Sequence, residues 1–167
     1  DKPLPARPPS FCIGCPERPV FSAITLAQQA VGPVQIAADI GCHAFATFEP
    51  FSLGHSILGY GMSLASRAGV SPVMERRVLS VMGDGGFWHN GLLSSVGNSV
   101  FNKSDNVTII VDNGYSAATG GQDLLSSKHG NDIRATQHPI EKAVRGVGVQ
   151  WVRTLTRTYS VAAMRDT

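Results

Sequence analysis

The chain has 167 residues, 43% hydrophobic and 16% charged, a balance that supports one domain with a full core and excludes an extended disordered polymer. Fourteen Lys and Arg against 12 Asp and Glu leave a net charge of +2, too little to indicate a nucleic-acid or anionic-membrane partner. No run of about 18 apolar residues exists to cross a bilayer, and the start lacks the apolar stretch of a secretory signal, so a cytoplasmic protein is expected.

Residues 1–10 are a Pro-rich lead-in, and residues 161–167 read as the start of a truncated helix. Together with the absence of an initiating Met, they make residues 11–160 the expected domain within a longer polypeptide. Helical spacing of Val20, Phe21, Ile24 and Leu26 predicts a helix over Pro19–Ala30. A short apolar run, Val34–Ala38, predicts a strand that ends in the turn Asp39-Ile40-Gly41-Cys42. Small and apolar residues over Ser56–Ala68 predict a closely packed helix. Arg77–Met82 reads as a buried strand running into Gly83-Asp84-Gly85-Gly86. A helix over Asn90–Asn102 is expected to turn Leu92, Leu93, Val96, Val100 and Phe101 inward.

Val107–Val111 is the clearest strand, broken by Asp112-Asn113-Gly114. Residues 114–136 are polar and Gly-rich, without periodicity. Pro139 suits the first turn of a helix reaching Val147, and Gln150–Leu155 is expected to return as a strand. Strands alternating with helices of this length imply an α/β fold, three layers α/β/α around a mostly parallel sheet.

Two strand ends carry the chemistry. Gly83-Asp84-Gly85 is followed by 27 residues and then Asn113. If the two strands are neighbours, both side chains emerge at the carboxyl edge of the sheet, where open α/β sheets bind ligands. A carboxylate and an amide oxygen are hard ligands suited to Mg²⁺, which takes few protein oxygens and fills its shell with phosphate and water. The Tyr115 carbonyl adds a third oxygen, and Gly85 and Gly86 let phosphate approach a helix N-terminus. A plain reading of the same residues is a helix-capping Asp84 and a turn-forming Asn113.

This arrangement resembles the thiamine-diphosphate fingerprint, a Gly-Asp-Gly followed at this spacing by Asn. With Cys12-Ile13-Gly14-Cys15-Pro16, Asp39-Ile40-Gly41-Cys42 and Asp112-Asn113-Gly114-Tyr115-Ser116-Ala117-Ala118-Thr119-Gly120-Gly121-Gln122, the chain is similar to the thiamine domain of 2-oxoacid:ferredoxin oxidoreductases. The first Cys motif and Phe87-Trp88-His89-Asn90-Gly91 resemble the indolepyruvate branch, in its long fused bacterial form.

The resemblance implies thiamine diphosphate and Mg²⁺ as cofactors, with Asp84, Asn113 and the Tyr115 carbonyl on the metal. Gly85, Gly86 and Ala117 would line the diphosphate, Ile40, Gly41, Cys42 and His43 would lie beside the thiazolium, and Thr119 would belong to a turn closing over the cofactor. His43 and His89 are the candidate catalytic side chains. The implied reaction is oxidative decarboxylation of an aryl pyruvate to acyl-coenzyme A, with electrons passed to ferredoxin. The implied partners are a pyrimidine-binding domain carrying the activating Glu and a second copy in a homo-oligomer.

In the pyruvate and 2-oxoglutarate branches, cysteines matching Cys12, Cys15 and Cys42 hold a [4Fe–4S] cluster with a fourth Cys. Three thiolates fall short of four, so a cluster completed from outside the chain, a zinc site, and buried small hydrophobes all stay open. Also open are a pyruvate- or 2-oxoglutarate-type β domain, a non-oxidative thiamine decarboxylase or synthase, and an iron–sulfur electron-transfer module with a vestigial thiamine site.

Overall fold

The computed structural model describes residues 3–167; Asp1 and Lys2, the first two residues of the Pro-rich lead-in, lie outside it. Residues 3–10 carry no regular structure. Helix α1 (Glu17–Val31) then leads into β1 (Gln35–Ala38). A 3-10 turn, Cys42–Thr47, precedes the short strand β2 (Ser56–Ile57) and α2 (Ser63–Val70). Strand β3 (Val78–Gly83) runs directly into a continuous helical run of α3 (Asp84–Gly86), a π-helical stretch Phe87–Gly97 and α4 (Asn98–Phe101). Strand β4 (Val107–Val111) is followed by a hairpin of β5 (Tyr115–Ser116) and β6 (Gln122–Asp123), then α5 (Ile140–Gly146) and α6 (Val161–Arg165), which packs on α1.

The main sheet is parallel throughout, in the order β2-β1-β3-β4. Its three layers follow from side-chain alternation along buried strands. Val81 and Ile109 enter a core with Phe21 and Ile24 of α1, together with Phe11 and Ile36. Their neighbours Met82 and Ile110 enter the opposite core, with Leu64 of α2, Phe87 and Val96 of the long helical run, and Val144 of α5. The expected α/β sandwich is therefore present.

Strand order creates the site. From β1 the chain moves outward to β2, and from β3 it moves the other way to β4. The turns after β1 and β3 therefore diverge and leave a crevice at the carboxyl edge. Gly61 shapes its floor: φ is +79°, and a Cβ there would stand 2.6 Å from the Gly86 carbonyl and 2.7 Å from the Gly91 nitrogen. Buried Asp39 fixes that loop, both carboxylate oxygens accepting from Gly61 N–H at 2.8 Å.

Three expectations are corrected. Ser56–Ala68 is not one helix, because Ser56–Ile57 pair with β1 and Gly61 forces a turn before α2 begins. Leu93 and Phe101 face outward, 72% and 84% exposed; the wider i→i+5 spacing of the π-helical stretch rotates Leu93 off the inner face, and Phe101 follows in register. Gln150–Leu155 forms no strand, since Arg145 Nη1 donates to the Gln150 carbonyl and Thr154 Oγ1 to Glu141, pinning the segment to α5 instead of the sheet.

Substituting Gly61→Ala is expected to cost about 2–4 kcal/mol from combined backbone strain and overpacking. Gly69→Ala, in α2 with no heavy atom within 4 Å of the added carbon, is expected to be neutral or stabilising by up to about 1 kcal/mol. Urea denaturation of the two variants checks the contrast.

Candidate functional site

Strands β3 and β4 pair in parallel with Gly83 opposite Val111, which sets Asp84 and Asp112-Asn113 side by side beyond the edge. Asp84 is 2% exposed. One of its oxygens accepts from Gly85 N–H at 2.8 Å and the other from Gly114 N–H at 2.6 Å. Burial and the neighbouring Asp112 carboxylate nevertheless push its pKa up to about 6, the two N–H donors only partly offsetting them. Asn113 is half-buried, and its Oδ1 accepts from Tyr115 N–H at 3.1 Å, an Asx turn that holds the side chain against the backbone just beyond β4.

The glycines after Asp84 are required by close approach. A Cβ on Gly85 would lie 2.2 Å from the Tyr60 hydroxyl and 3.0 Å from Ser116 Oγ, and one on Gly86 2.2 Å from Asp39 Oδ2. Tyr60 and Ser116 hydroxyls hydrogen-bond at 2.9 Å, so they stand together where the helical run begins. The first N–H groups of that run lack helical acceptors, and the dipole there favours an anion. Ala117 and Thr119 form a 3-10 turn in the β5–β6 hairpin, closed by the Thr119–Gln122 hydrogen bonds.

Across the crevice, Ile40 is 48% exposed and His43 only 2%. The His43 ring folds back over Gly41, whose Cβ would stand 2.5 Å from Cε1, and abuts Gly83, whose Cβ would stand 3.6 Å away. Neither ring nitrogen makes a hydrogen bond of ordinary geometry; burial, only partly offset by the Asp39 backbone beside the ring, lowers the pKa to about 4, so the imidazole is neutral at pH 7. Glu17 Oε2 is 4.0 Å from Nδ1, itself buried and unpartnered. Burial first and Asp84 second push the Glu17 pKa up to about 7. Each unpartnered atom costs about 1–3 kcal/mol, and three of the five such side-chain atoms found among the described residues belong to this pair. His89 is exposed at the start of the helical run, its ring centroid 5.1 Å from that of Tyr60.

The cysteines flank this region. Cys12 is exposed, while Cys15 and Cys42 are half-buried, their thiols pushed up by burial and next by Glu17, against which hydrogen bonding to the backbone counts for Cys15. Among the described residues, no group of three or more His, Cys, Asp or Glu side chains is arranged to hold a metal ion.

The structure thus brings together Asp84, Gly85, Gly86, Asn113 and the β5–β6 turn on one side, and Ile40, Gly41, Cys42 and His43 on the other. Sequence reasoning missed Glu17, Asp39, Tyr60 and Ser116. Asp39, directly before the Ile40-Gly41 turn, had a readable signal in a carboxylate closing an apolar strand. Glu17, Tyr60 and Ser116 reach the site only through tertiary packing.

Comparison with known proteins places these features in context. A family model described as thiamine pyrophosphate enzyme, C-terminal TPP binding domain, matches residues 29–166. The indolepyruvate oxidoreductase subunit IorA of Methanothermobacter thermautotrophicus is 34% identical over 157 residues, covering 91% of this chain and 25% of the relative. The subunit of the same name from Archaeoglobus fulgidus is 30% identical over 168 residues, 97% and 26% respectively. The chain therefore spans about a quarter of the length of these curated relatives. Among solved structures, the 2-oxoglutarate:ferredoxin oxidoreductase from Magnetococcus marinus superposes with a TM-score of 0.64 at 20% identity, covering 72% of this chain and 43% of that one, a likeness of fold. Among the described residues, no helix is long and apolar enough to cross a membrane.

Glu17 and Asp84 retain protons that the unfolded chain releases near 4.5 and 3.8, so each lowers stability as pH rises toward its raised value. His43 acts in the opposite sense between about 4 and 6.5. Between pH 6 and 8 the loss from Glu17 is the largest of these changes and outweighs the gain from His43. The unfolding free energy is expected to fall by about 1 kcal/mol between pH 6 and 8, and Glu17→Gln to flatten that fall. Denaturant titrations at each pH measure it.

Proposed function

We propose that this chain, which belongs to the family of C-terminal cofactor-binding domains of thiamine pyrophosphate enzymes, supplies the Mg²⁺–diphosphate half of an indolepyruvate-type 2-oxoacid:ferredoxin oxidoreductase. The observation that carries the reading is the buried Asp84 carboxylate beside Asp112, with Asn113 Oδ1 on the same sheet edge. A divalent cation offsets the crowded negative charge there, and the donor set is all oxygen, as Mg²⁺ requires.

Asp84, Asn113 and the Tyr115 carbonyl hold the metal. Gly85, Gly86 and Ala117 let the diphosphate reach backbone N–H groups at the start of the helical run, with Tyr60 and Ser116 hydroxyls alongside. Thr119 and its turn cover the cofactor, and Ile40, Gly41, Cys42 and His43 line its reacting end. Thiamine diphosphate held here would supply carbon-nucleophile and electron-sink chemistry for decarboxylation of a 2-oxoacid. The chain's own residues orient that group and exclude water around it. His43 and His89 are the candidate catalytic side chains of this reading, His43 neutral and buried behind the turn and His89 exposed at the start of the helical run.

The relatives named as indolepyruvate oxidoreductase subunits support an aryl pyruvate as substrate; coenzyme A as acyl acceptor and ferredoxin as electron acceptor follow from the resemblance of the sequence motifs. Residues 11–160 act as one domain of a longer protein, completed by a pyrimidine-binding domain that brings the activating Glu, within a homo-oligomer. Residues 1–10 then serve as the lead-in to the domain, while α6 (Val161–Arg165) packs on α1 and belongs with it. A [4Fe–4S] cluster on Cys12, Cys15 and Cys42 would need a fourth ligand from that longer protein.

Calorimetric titration of thiamine diphosphate into the chain is expected to show Mg²⁺-dependent binding, weakened at least about 100-fold by Asp84→Ala and by Asn113→Ala. Affinity should also decline as pH is lowered through about 6, where Asp84 takes up a proton, because the metal binds the carboxylate form. Binding indifferent to Mg²⁺ or to Asp84 contradicts the assignment.

A further inference from the structure

Three hydroxyl groups form a row across the crevice at the start of the long helical run. The Tyr60 hydroxyl, on the loop between β2 and α2, lies 2.9 Å from Ser116 Oγ on β5, and Ser116 Oγ lies 3.1 Å from Thr119 Oγ1. Among the described residues, the Tyr60–Ser116 contact is the only side-chain hydrogen bond between the loop before α2 and the β5–β6 hairpin. It stands over the backbone of Gly85, where an added Cβ would fall 2.2 Å from the Tyr60 hydroxyl and 3.0 Å from Ser116 Oγ. Tyr60 and Ser116 are half-buried and Thr119 is exposed, so the row is not sealed from solvent.

Proton inventory gives the row a direction, because each hydroxyl has one proton to donate. The Thr119 carbonyl can only accept, so the Gln122 amide nitrogen is the atom that faces it, at 2.6 Å. Gln122 Oε1 is thereby turned to Thr119 Oγ1 at 2.5 Å. Thr119 then donates to Gln122, Ser116 to Thr119, and Tyr60 to Ser116. Tyr60 heads the row, and its proton can be redirected with the loss of one neutral hydrogen bond, the rest of the row staying intact. An anion is favoured where a helix begins, and a hydrogen bond to a charged oxygen is about twice as strong as a neutral one. We propose that Tyr60 is a diphosphate ligand: its O–H leaves Ser116 and donates to an oxygen of the diphosphate held at the start of the helical run. This role rests on the reading of the edge as a diphosphate site. Ser116 and Thr119 keep the hairpin in place and give no proton to the ligand.

The test is calorimetric titration of the chain, in MgCl₂, with inorganic pyrophosphate and separately with thiamine diphosphate. Tyr60→Phe keeps the ring and removes one hydroxyl; it is expected to weaken both ligands about 10-fold. Ser116→Ala is expected to stay within about threefold of the wild type, because Ser116 spends its proton on Thr119. Circular dichroism checks the folding of each variant. Undiminished affinity in folded Tyr60→Phe overturns the proposal and leaves the cofactor reading standing. A loss in Ser116→Ala as large as that in Tyr60→Phe also overturns it, since Ser116 would then be a donor to the ligand. A second measurement needs no change at Tyr60. The chain has three tyrosines, so the ring-carbon signal of Tyr60 in ¹³C-tyrosine-labelled chain is assigned by elimination with Tyr115→Phe and Tyr159→Phe. That signal is expected to move when magnesium pyrophosphate binds to the wild type, and binding that leaves it unmoved overturns the proposal. Pyrophosphate bound without thiamine diphosphate counts against the cofactor reading, while a Tyr60→Phe loss on pyrophosphate still supports the ligand role. A wild type that binds neither overturns both.

Discussion

A single carboxylate joins the two halves of the carboxyl edge. Asp84 takes Gly85 N–H with one oxygen and Gly114 N–H with the other, so the end of β3 and the turn after β4 are held at a fixed separation. That linkage depends on the β3–β4 register and on glycine at 85, where any side chain would collide with Tyr60. The start of the long helical run, the Asx turn of Asn113 and the β5–β6 hairpin are all placed by it. The carboxylate is kept in a region that disfavours its charge, and its pKa near 6 measures that conflict. A site built to receive a dication carries such a conflict; a purely structural cap would have been better placed on the surface.

The second organising feature is the divergence of the turns after β1 and β3. Asp39 holds the loop at Gly61, whose N–H is shared by both carboxylate oxygens, and Gly61 in turn leaves room for the Gly86 carbonyl. These contacts connect β1, the loop before α2 and the helical run across the crevice. Asp84 and Asn113 on one wall and the Ile40–His43 turn on the other follow from strand order, so the polar end and the reacting end of the proposed cofactor would be served by different strands.

Much of this was legible in the sequence, for physical reasons that can be named. Val107–Val111 and Arg77–Met82 are short, contain β-branched residues and run into glycine-containing turns, and strands buried on both faces read as continuous apolar runs. Asp84 and Asn113 were legible because two strand ends at crossover spacing must share an edge if the strands pair. The long helical run was misread in phase, since hydrophobic periodicity assumes 3.6 residues per turn and the π-helical stretch does not keep it. Gln150–Leu155 had strand composition, yet Arg145 and Glu141 of α5 capture it by hydrogen bonds that local pattern does not show. Glu17 was invisible for the same reason: a Glu at a helix start reads as a dipole partner, and only packing turns it inward toward His43.

The central claim is that the carboxyl edge at Asp84 and Asn113 is a divalent-metal and diphosphate site. The most direct measurement is a crystal structure of the chain grown with thiamine diphosphate and Mn²⁺, with the metal located by anomalous scattering. The account predicts one peak at about 2.1–2.2 Å from Asp84 Oδ, Asn113 Oδ1 and the Tyr115 carbonyl, bridged to a diphosphate at the start of the helical run. A metal peak elsewhere, or a diphosphate bound away from Gly85 and Gly86, contradicts it.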